Sequence, residues 1–204
     1  MNIITMEKLF SFLFIILIAT TNNYAQLPGV FFDPRDGNEY ETVTYVIDLE
    51  AEVSVERTWF AKNLNYESPG SFCYRDYQAF CDVYGRLYTW DEAREVCPEG
   101  WHLPTSDDWM GVYKKFGGDK EAGIALRQGG ESGLELVMGG FGELDGTYID
   151  IGLNAYYWKI TDLKSKGSGV LTIHSDVNEI VDVEIGKYHK NSIRCVKNYN
   201  EYGR

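Results

Sequence analysis

The sequence predicts an α+β fold built on an antiparallel sheet, and two observations carry that prediction. Alternating stretches rich in β-branched residues lie towards the two ends of the chain, and the helical stretches lie together between them. Strands and helices segregated in this way are typical of α+β proteins, whereas regular alternation would indicate a parallel sheet. The chain of 204 residues is long enough for one domain with a substantial core.

Strands are predicted at both ends of the domain. The early strands are expected over residues 40–49 and 53–64, after a lead-in over residues 26–34 and the turn Asp36-Gly37-Asn38. The late strands are expected in four stretches, residues 156–161, 169–175, 179–185 and 192–197.

Two capping patterns predict two main helices. Thr89 stands three positions before Glu92 and starts a short helix over residues 90–96. Thr105 and Asp108 repeat the pattern ahead of apolar residues at helical spacing, and Gly117-Gly118 ends this second helix. Residues 119–128 are expected to add a further helical turn or two.

Two other stretches show no clear period. Residues 66–82 are interpreted as irregular. Residues 129–154 are rich in glycine and are predicted to form a long Gly-rich loop region. Loops displayed by a rigid scaffold frequently carry binding residues, so this region is the candidate ligand-binding surface.

The first 25 residues differ in character from the rest of the chain. Residues 9–19 are an apolar run preceded by Lys8, and Ala25 is a small residue suited to cleavage. The run is too short to span a bilayer of about 30 Å but fits the core of a secretory signal peptide. We therefore expect a signal peptide over residues 1–25, with a retained anchor as the alternative. A single domain over residues 26–204 is expected in the periplasm, on the outer surface or outside the cell, with no membrane span after cleavage.

Charge and motifs restrict the function. A net charge of −12 repels phosphate backbones, so nucleic acid is not an expected partner. The sequence contains no GxSxG, phosphate-loop, dinucleotide-binding or HExxH motif. Asp107 and Asp108 are accounted for by helix capping, and His102 is interpreted as a turn residue with satisfied hydrogen bonds. No catalytic residue is predicted, and we do not expect an enzyme.

The chain has four cysteines, Cys73, Cys81, Cys97 and Cys195. An even number in an exported chain favours two disulfides, which can be paired in three ways. Zinc is the competing interpretation, but no two cysteines lie two to four positions apart and no two histidines three to five apart. We therefore expect no metal ligands among them.

Six stretches carry a resemblance to a known family. In chain order they read FFDPRDGNEYETVTY, TWFAKNLNY, FCYRDYQAFCDVYGRLYTWDEA, VCPEGWHLPTSDDW, NAYYW and SIRCVKN. Together they resemble the Fibrobacter succinogenes major paralogous domain over about residues 31–198, and WHLPTSDDW is also similar to sulfatase-modifying and formylglycine-generating domains. The stretch over residues 44–59 is longer and more acidic than the family pattern, which predicts an extended first hairpin.

The resemblance implies a C-type-lectin-like fold. It also favours a Cys97–Cys195 disulfide that joins the end of the first helix to the last strand, while Cys73 and Cys81 would close a short surface loop. The oxidase activity of formylglycine-generating enzymes is not carried over, because it needs reactive cysteines and no second cysteine lies near Cys195 in the sequence.

The candidate ligand-binding residues come from the Gly-rich region. Phe141 and Tyr148 are aromatic residues of the kind that stack on sugars. Oxygen-bearing side chains of the kind calcium prefers accompany them, namely Glu143, Asp145, Asp150 and Asn154. Calcium is a possible cofactor on this ground alone. A second acidic stretch, Asp33, Asp36, Asn38 and Glu39, is better interpreted as a hairpin turn.

These observations predict an exported, non-catalytic binding or surface module that contacts carbohydrate or protein through its long loops. Two alternatives remain open at this point. One is a structural subunit of a surface assembly, and the other is an enzyme related to the sulfatase-modifying oxidases.

Overall fold

The fold is described from a computed structural model, which covers residues 26–50, 53–162, 167–184 and 187–199. The predicted signal peptide lies outside these residues. In chain order the strands are β1 (Gln26–Phe32), β2 (Glu39–Glu50), β3 (Val53–Phe60), β4 (Ser71–Phe72), β5 (Leu87–Thr89), β6 (Trp101–His102), β7 (Gly139–Gly142), β8 (Tyr148–Ile151), β9 (Asn154–Asp162), β10 (Gly167–His174), β11 (Ile180–Glu184), β12 (Lys190–Asn191) and β13 (Val196–Lys197). The α-helices are α1 (Gln78–Tyr84), α2 (Trp90–Ala93), α3 (Ser106–Lys115) and α4 (Ala122–Leu126), and a 3-10 turn spans Tyr74–Asp76.

The strands form two sheets. The first has the order β1-β2-β3-β13-β6 and is antiparallel throughout. The second has the order β11-β10-β9-β7-β12-β5-β4, with β8 also paired to β7. The pairs in this sheet are antiparallel except for a short parallel contact between β7 and β9. Mainly antiparallel sheets with short helices between early and late strands confirm the α+β class at this level.

The two sheets enclose two apolar cores, and adjacent strand residues point into different ones. Trp59 and Tyr157 belong to the first core and their neighbours Phe60 and Trp158 to the second, as the period-two geometry of strands requires. Trp109 of α3 fills the first core, with its ring 4.5 Å from that of Trp59 and 5.8 Å from that of Tyr157. One helix residue therefore joins a strand from each sheet.

The segment over residues 190–197 runs from one sheet to the other and serves as the seam between them. Its start, β12, pairs with β5 and β7, and its end, β13, pairs with β3 and β6. Between these strands its carbonyls accept hydrogen bonds of 3.0 Å from the backbone N–H groups of Phe60, Leu64 and Trp158. Both sheets are thus hydrogen-bonded to the same eight-residue stretch.

Arg194 is the most deeply buried cation of the seam and is fully removed from solvent. Its Nε donates to Oδ1 of Asn63 at 2.7 Å, and its terminal nitrogens donate to the carbonyls of Phe60, Leu134 and Glu135. Burial lowers the pKa of Arg194 from its ordinary value. Because buried charge is tolerated only when it is hydrogen-bonded, this arginine fixes the irregular chain at Leu134 against the seam.

Two disulfides complete the framework. Cys97, just after α2, is bonded to Cys195 in the seam, with Cα atoms 5.8 Å apart. Cys73 is bonded to Cys81, which places the short loop before α1 against the helix itself. All four cysteines of the chain are used in these two bonds.

Several local predictions are confirmed. The first hairpin is extended, since β2 and β3 pair from Thr42–Phe60 out to Glu50–Val53. Thr105 caps α3, and its hydroxyl and the Asp108 carboxylate form the reciprocal hydrogen bonds of a capping box. The helix ends before Gly117 and Gly118, which both have positive φ.

The helix predictions are confirmed for α4, which lies within residues 119–128, but they miss α1 and make the first predicted helix too long. The first predicted helix stops at Ala93 rather than residue 96, because the chain turns there towards Cys97 and its disulfide. Helix α1 lies inside the stretch interpreted as irregular, and its N-cap Tyr77 makes no side-chain capping bond that a sequence pattern could reveal. The lead-in over residues 26–34 also contains a strand, β1.

The Gly-rich region is a loop only in its first part. Residues 129–138 are irregular apart from one isolated bridge, but β7 and β8 form a hairpin where a loop was predicted. Glycine disfavours strands, which hid the hairpin from the sequence pattern. Gly140 is required in it, since its φ is +65° and an added Cβ would lie 2.2 Å from the Ile149 carbonyl oxygen.

Among the described residues, no helix has the length and apolar character needed to cross a membrane.

The two disulfides are expected to contribute unequally to stability. The Cys97–Cys195 bond joins residues 98 positions apart in the sequence, whereas the Cys73–Cys81 bond joins residues 8 positions apart. In the chain-entropy model the long loop is worth about 4–5 kcal/mol and the short one roughly 2–3 kcal/mol. Urea unfolding of the Cys97→Ala/Cys195→Ala variant should therefore show the larger loss of unfolding free energy. An equal or larger loss for Cys73→Ala/Cys81→Ala would contradict the assignment of the long bond as the main covalent constraint.

Candidate functional site

The candidate site lies on the face of the second sheet at the ends of β9 and β10, beside the β7–β8 hairpin. The half-exposed ring of Phe141 on β7 packs edge-on against Tyr156 of β9, with centroids 4.8 Å apart. Asn154 pairs with His174, and Tyr156 with Thr172, so these side chains share one face of the β9–β10 pair. We call this surface the Phe141 platform. It comprises Phe141, Glu143, Asp150, Asn154, Tyr156, His174 and His189.

A continuous chain of hydrogen bonds crosses the platform. Oδ2 of Asp150 accepts from the Tyr156 hydroxyl at 2.6 Å and from Nδ2 of Asn154 at 2.9 Å. Oδ1 of Asn154 faces Nδ1 of His174 at 2.7 Å. Asp150 reaches this position because its backbone has φ +68°, a conformation that Asp and Asn adopt more readily than other residues. The polar groups are therefore held in place before any ligand arrives.

His189 and Glu143 form the other side of the platform. The His189 ring lies edge-on to Phe141, with centroids 5.3 Å apart. Its Nδ1 is 3.1 Å from Oε2 of Glu143, without the alignment of a hydrogen bond. Phe141 is thus flanked by polar side chains on both sides.

The electrostatics of the platform favour hydrogen-bond donors in a ligand. Burial, and then the hydrogen bond to Asp150, raise the pKa of Tyr156 to about 12, so its hydroxyl keeps its proton and points it at the carboxylate. Oδ1 of Asp150 makes no hydrogen bond within the described part of the chain. A half-exposed aromatic ring beside fixed acceptor groups can stack on an apolar sugar face and accept its hydroxyl hydrogens.

Two predicted ligand-binding residues lie away from the platform. Tyr148 is opposite Gly142 in the hairpin and points to its other face, where its ring lies 5.1 Å from that of Tyr74. Its hydroxyl donates to Asp76 at 3.2 Å, which ties the hairpin to the Cys73–Cys81 loop. Asp145 accepts from the backbone N–H of Thr147 at the hairpin turn. Ligand binding by these two residues stays a prediction, and their contacts support the hairpin.

Three platform residues were not candidates on sequence grounds, namely Tyr156, His174 and His189. The signal that could have found Tyr156 and His174 is the register of two neighbouring predicted strands, but register cannot be read from one sequence without the turn geometry. His189 follows a turn and reaches Phe141 only through the pairing of β12 with β7.

A second polar cluster surrounds Asp108 at the start of α3. Its carboxylate accepts hydrogen bonds from the Thr105 hydroxyl and backbone, from Nε2 of His102 at 3.2 Å, and from the Tyr199 hydroxyl. Nδ1 of His102 contacts Asn198 at 2.8 Å, so both of its ring nitrogens have partners. His102 has the satisfied structural role expected from the sequence, and Asp108 anchors the C-terminal stretch.

A cleft with a volume of about 590 Å³ lies elsewhere, between the start of β2 and the end of α1. Three of the four carboxylates that line it have partners: Glu41 pairs with Lys62 at 3.1 Å, Asp82 accepts from Gln78, and Glu135 accepts from the Gly129 N–H, and Glu39 is the fourth. The cleft contains none of the candidate residues from the Gly-rich region. It is therefore a weaker candidate than the platform.

No group of three or more His, Cys, Asp or Glu side chains in the described ranges is placed to hold a metal ion. Asp150 and Asn154, proposed as calcium ligands, bond to each other instead.

The Asp108 cluster predicts an acid-dependent loss of stability. Burial alone would raise the pKa of Asp108, but hydrogen bonds from His102, Thr105 and Tyr199 outweigh it and hold the pKa well below the ordinary value of 3.8. A lowered folded-state pKa contributes stability above 3.8 that is lost as the pH falls below it. Asp108→Asn should therefore unfold more easily at pH 7 and show a flatter stability profile between about pH 5 and 2.

Asp107→Asn is the matched control, because this exposed neighbour lies outside the cluster. Urea titrations at a series of pH values make the measurement. If Asp108→Asn and Asp107→Asn gave the same profile, the cluster would not contribute to stability.

Comparison with known proteins agrees with the motifs and the fold. A family model described as the Fibrobacter succinogenes major domain matches residues 20–197. No curated protein and no solved structure matches the chain. The family match includes every strand and helix named above, from β1 to β13, and it includes the whole Phe141 platform. The chain therefore belongs to the family of Fibrobacter succinogenes major domains.

Proposed function

We propose that the protein is an exported, non-catalytic module that binds carbohydrate on the Phe141 platform. Family membership assigns neither a ligand nor a reaction, so the proposal rests on the site. The observation that carries it is the fixed Tyr156–Asp150–Asn154–His174 chain beside the half-exposed ring of Phe141. A sugar offers both an apolar face and hydroxyl groups, which match these two features.

Export is part of the proposal. Two disulfides use every cysteine of the chain, and such bonds persist in oxidising compartments. The apolar run over residues 9–19 and the small residue Ala25 support removal of residues 1–25 as a signal peptide, which leaves one domain over residues 26–204. The periplasm, the outer surface and the medium are all compatible with these features.

The C-type-lectin-like architecture implied by the resemblance is also part of the proposal. It is supported by two features of the fold. The strands β1–β3 share a sheet with the last strand, β13. Phe141 lies on β7, which is held inside the second sheet between β9 and β12, as a ligand-binding segment on a rigid base would be.

Two other functions are less well supported. A structural subunit of a surface assembly, or a module that binds protein, would use the exposed apolar residues of β1, including Val30 and Phe32. An oxidase of the sulfatase-modifying type would need a reactive thiol, and both disulfides would first have to be reduced. The platform favours carbohydrate because its ring is combined with a preformed polar network.

A glycan array probed with the purified, disulfide-bonded protein tests the function. We expect binding to a subset of glycans and a loss of at least about tenfold in affinity for Phe141→Ala, because the stacking surface is removed. Phe32→Ala is the matched control, since Phe32 is 64% exposed on the far edge of the first sheet. Binding by Phe141→Ala as tight as that of the wild type, or no binding by the wild type to any glycan, would refute the proposal.

A further inference from the structure

The hydrogen-bond network of the platform fixes the proton positions on His174. The Asp150 carboxylate only accepts, so the Asn154 side chain must turn its Nδ2 towards it at 2.9 Å. This orientation leaves Oδ1 of Asn154 facing Nδ1 of His174 at 2.7 Å. An amide oxygen also only accepts, so Nδ1 of His174 carries the hydrogen.

The consequence is a defined acceptor on the platform. A neutral imidazole with its hydrogen on Nδ1 has a lone pair on Nε2. Nε2 of His174 makes no hydrogen bond to any described residue, and the side chain is half-exposed. Through Asn154, Asp150 therefore sets the tautomer of His174. Nε2 of His174 faces away from the network as an acceptor rather than a donor.

Two other polar groups of the platform have the same character. Oδ1 of Asp150 is an acceptor, and Glu143 adds a carboxylate beyond Phe141. Tyr156 donates its hydroxyl hydrogen to Asp150. His189 is the exception, because an imidazole ring always carries at least one N–H. A surface made mostly of acceptors binds groups that donate and repels groups that carry negative charge, and the net charge of −12 adds to this repulsion at longer range.

We propose that His174 is a specificity-determining residue that accepts a hydroxyl hydrogen from a neutral glycan through Nε2, and that the platform thereby rejects acidic glycans. This inference rests on the proposed function, because it names the class of carbohydrate that the same site takes. It goes further in assigning a tautomer to His174 and a positioning role to Asp150 and Asn154.

The tautomer is tested on the free protein by long-range ¹H–¹⁵N NMR of the histidine rings near pH 7.5. We expect His174 to show a protonated Nδ1 and an unprotonated Nε2. The opposite tautomer would overturn the assignment whether or not any glycan binds.

The role in selectivity is tested with two amide variants. His174→Asn keeps a donor near the position of Nδ1 but has no atom at Nε2, whereas His174→Gln places an amide near Nε2. With the strongest neutral glycan from the array, we expect His174→Asn to bind about tenfold more weakly and His174→Gln to recover most of that loss. Polygalacturonate, a polyanionic glycan, is expected not to bind the wild type.

The outcomes separate this inference from the proposed function. If glycan binding depends on Phe141 but His174→Asn binds as tightly as the wild type, the function stands and the role of His174 falls. Binding of polygalacturonate as tight as that of the neutral glycan would also overturn the inference. A wild type that binds no glycan refutes the proposed function itself, and the NMR result still decides the tautomer.

Discussion

The structure depends on one short segment, residues 190–197, that belongs to both sheets. Its strands pair with β5 and β7 on one side and with β3 and β6 on the other. Its interior holds Cys195, whose disulfide reaches the end of α2, and the buried cation Arg194. Backbone, covalent and charged interactions that connect the two sheets therefore converge on this stretch. The regular hydrogen bonds within each sheet do not by themselves set the position of one sheet against the other.

The seam also fixes the positions of the strands that carry the Phe141 platform. Ser192 exchanges backbone hydrogen bonds of 3.0 Å with Tyr156 and Trp158, which fixes the strand that carries Asn154 and Tyr156. Lys190 pairs with Gly142 and so holds β7, the strand of Phe141, next to β9. From its outer face the hairpin is supported by Tyr148, which contacts the loop closed by Cys73–Cys81. Phe141 of the platform and the supporting residue Tyr148 therefore lie on the two opposite faces of a single hairpin.

Much of this architecture could be predicted where the local pattern is strong. The capping box at Thr105 and the alternation in β2 and β3 are properties of neighbouring residues, and both elements appear where expected. Helix α1 and the β7–β8 hairpin were missed because tertiary contacts, the Cys73–Cys81 bond and the close approach at Gly140, stabilise segments with weak local preference. For the site, the sequence pointed to Phe141, Asp150 and Asn154 but not to Tyr156 or His174, since their proximity depends on strand register.

Native-state hydrogen exchange of individual amides tests the central role of the seam most directly. The N–H groups of Phe60, Leu64 and Trp158, which donate to carbonyls of residues 190–197, should exchange only through global unfolding. The β10–β11 hairpin at the edge of the second sheet should open at lower free energy. Faster exchange at Phe60, Leu64 and Trp158 than in β10–β11 would show that the sheets are held together by something other than this segment.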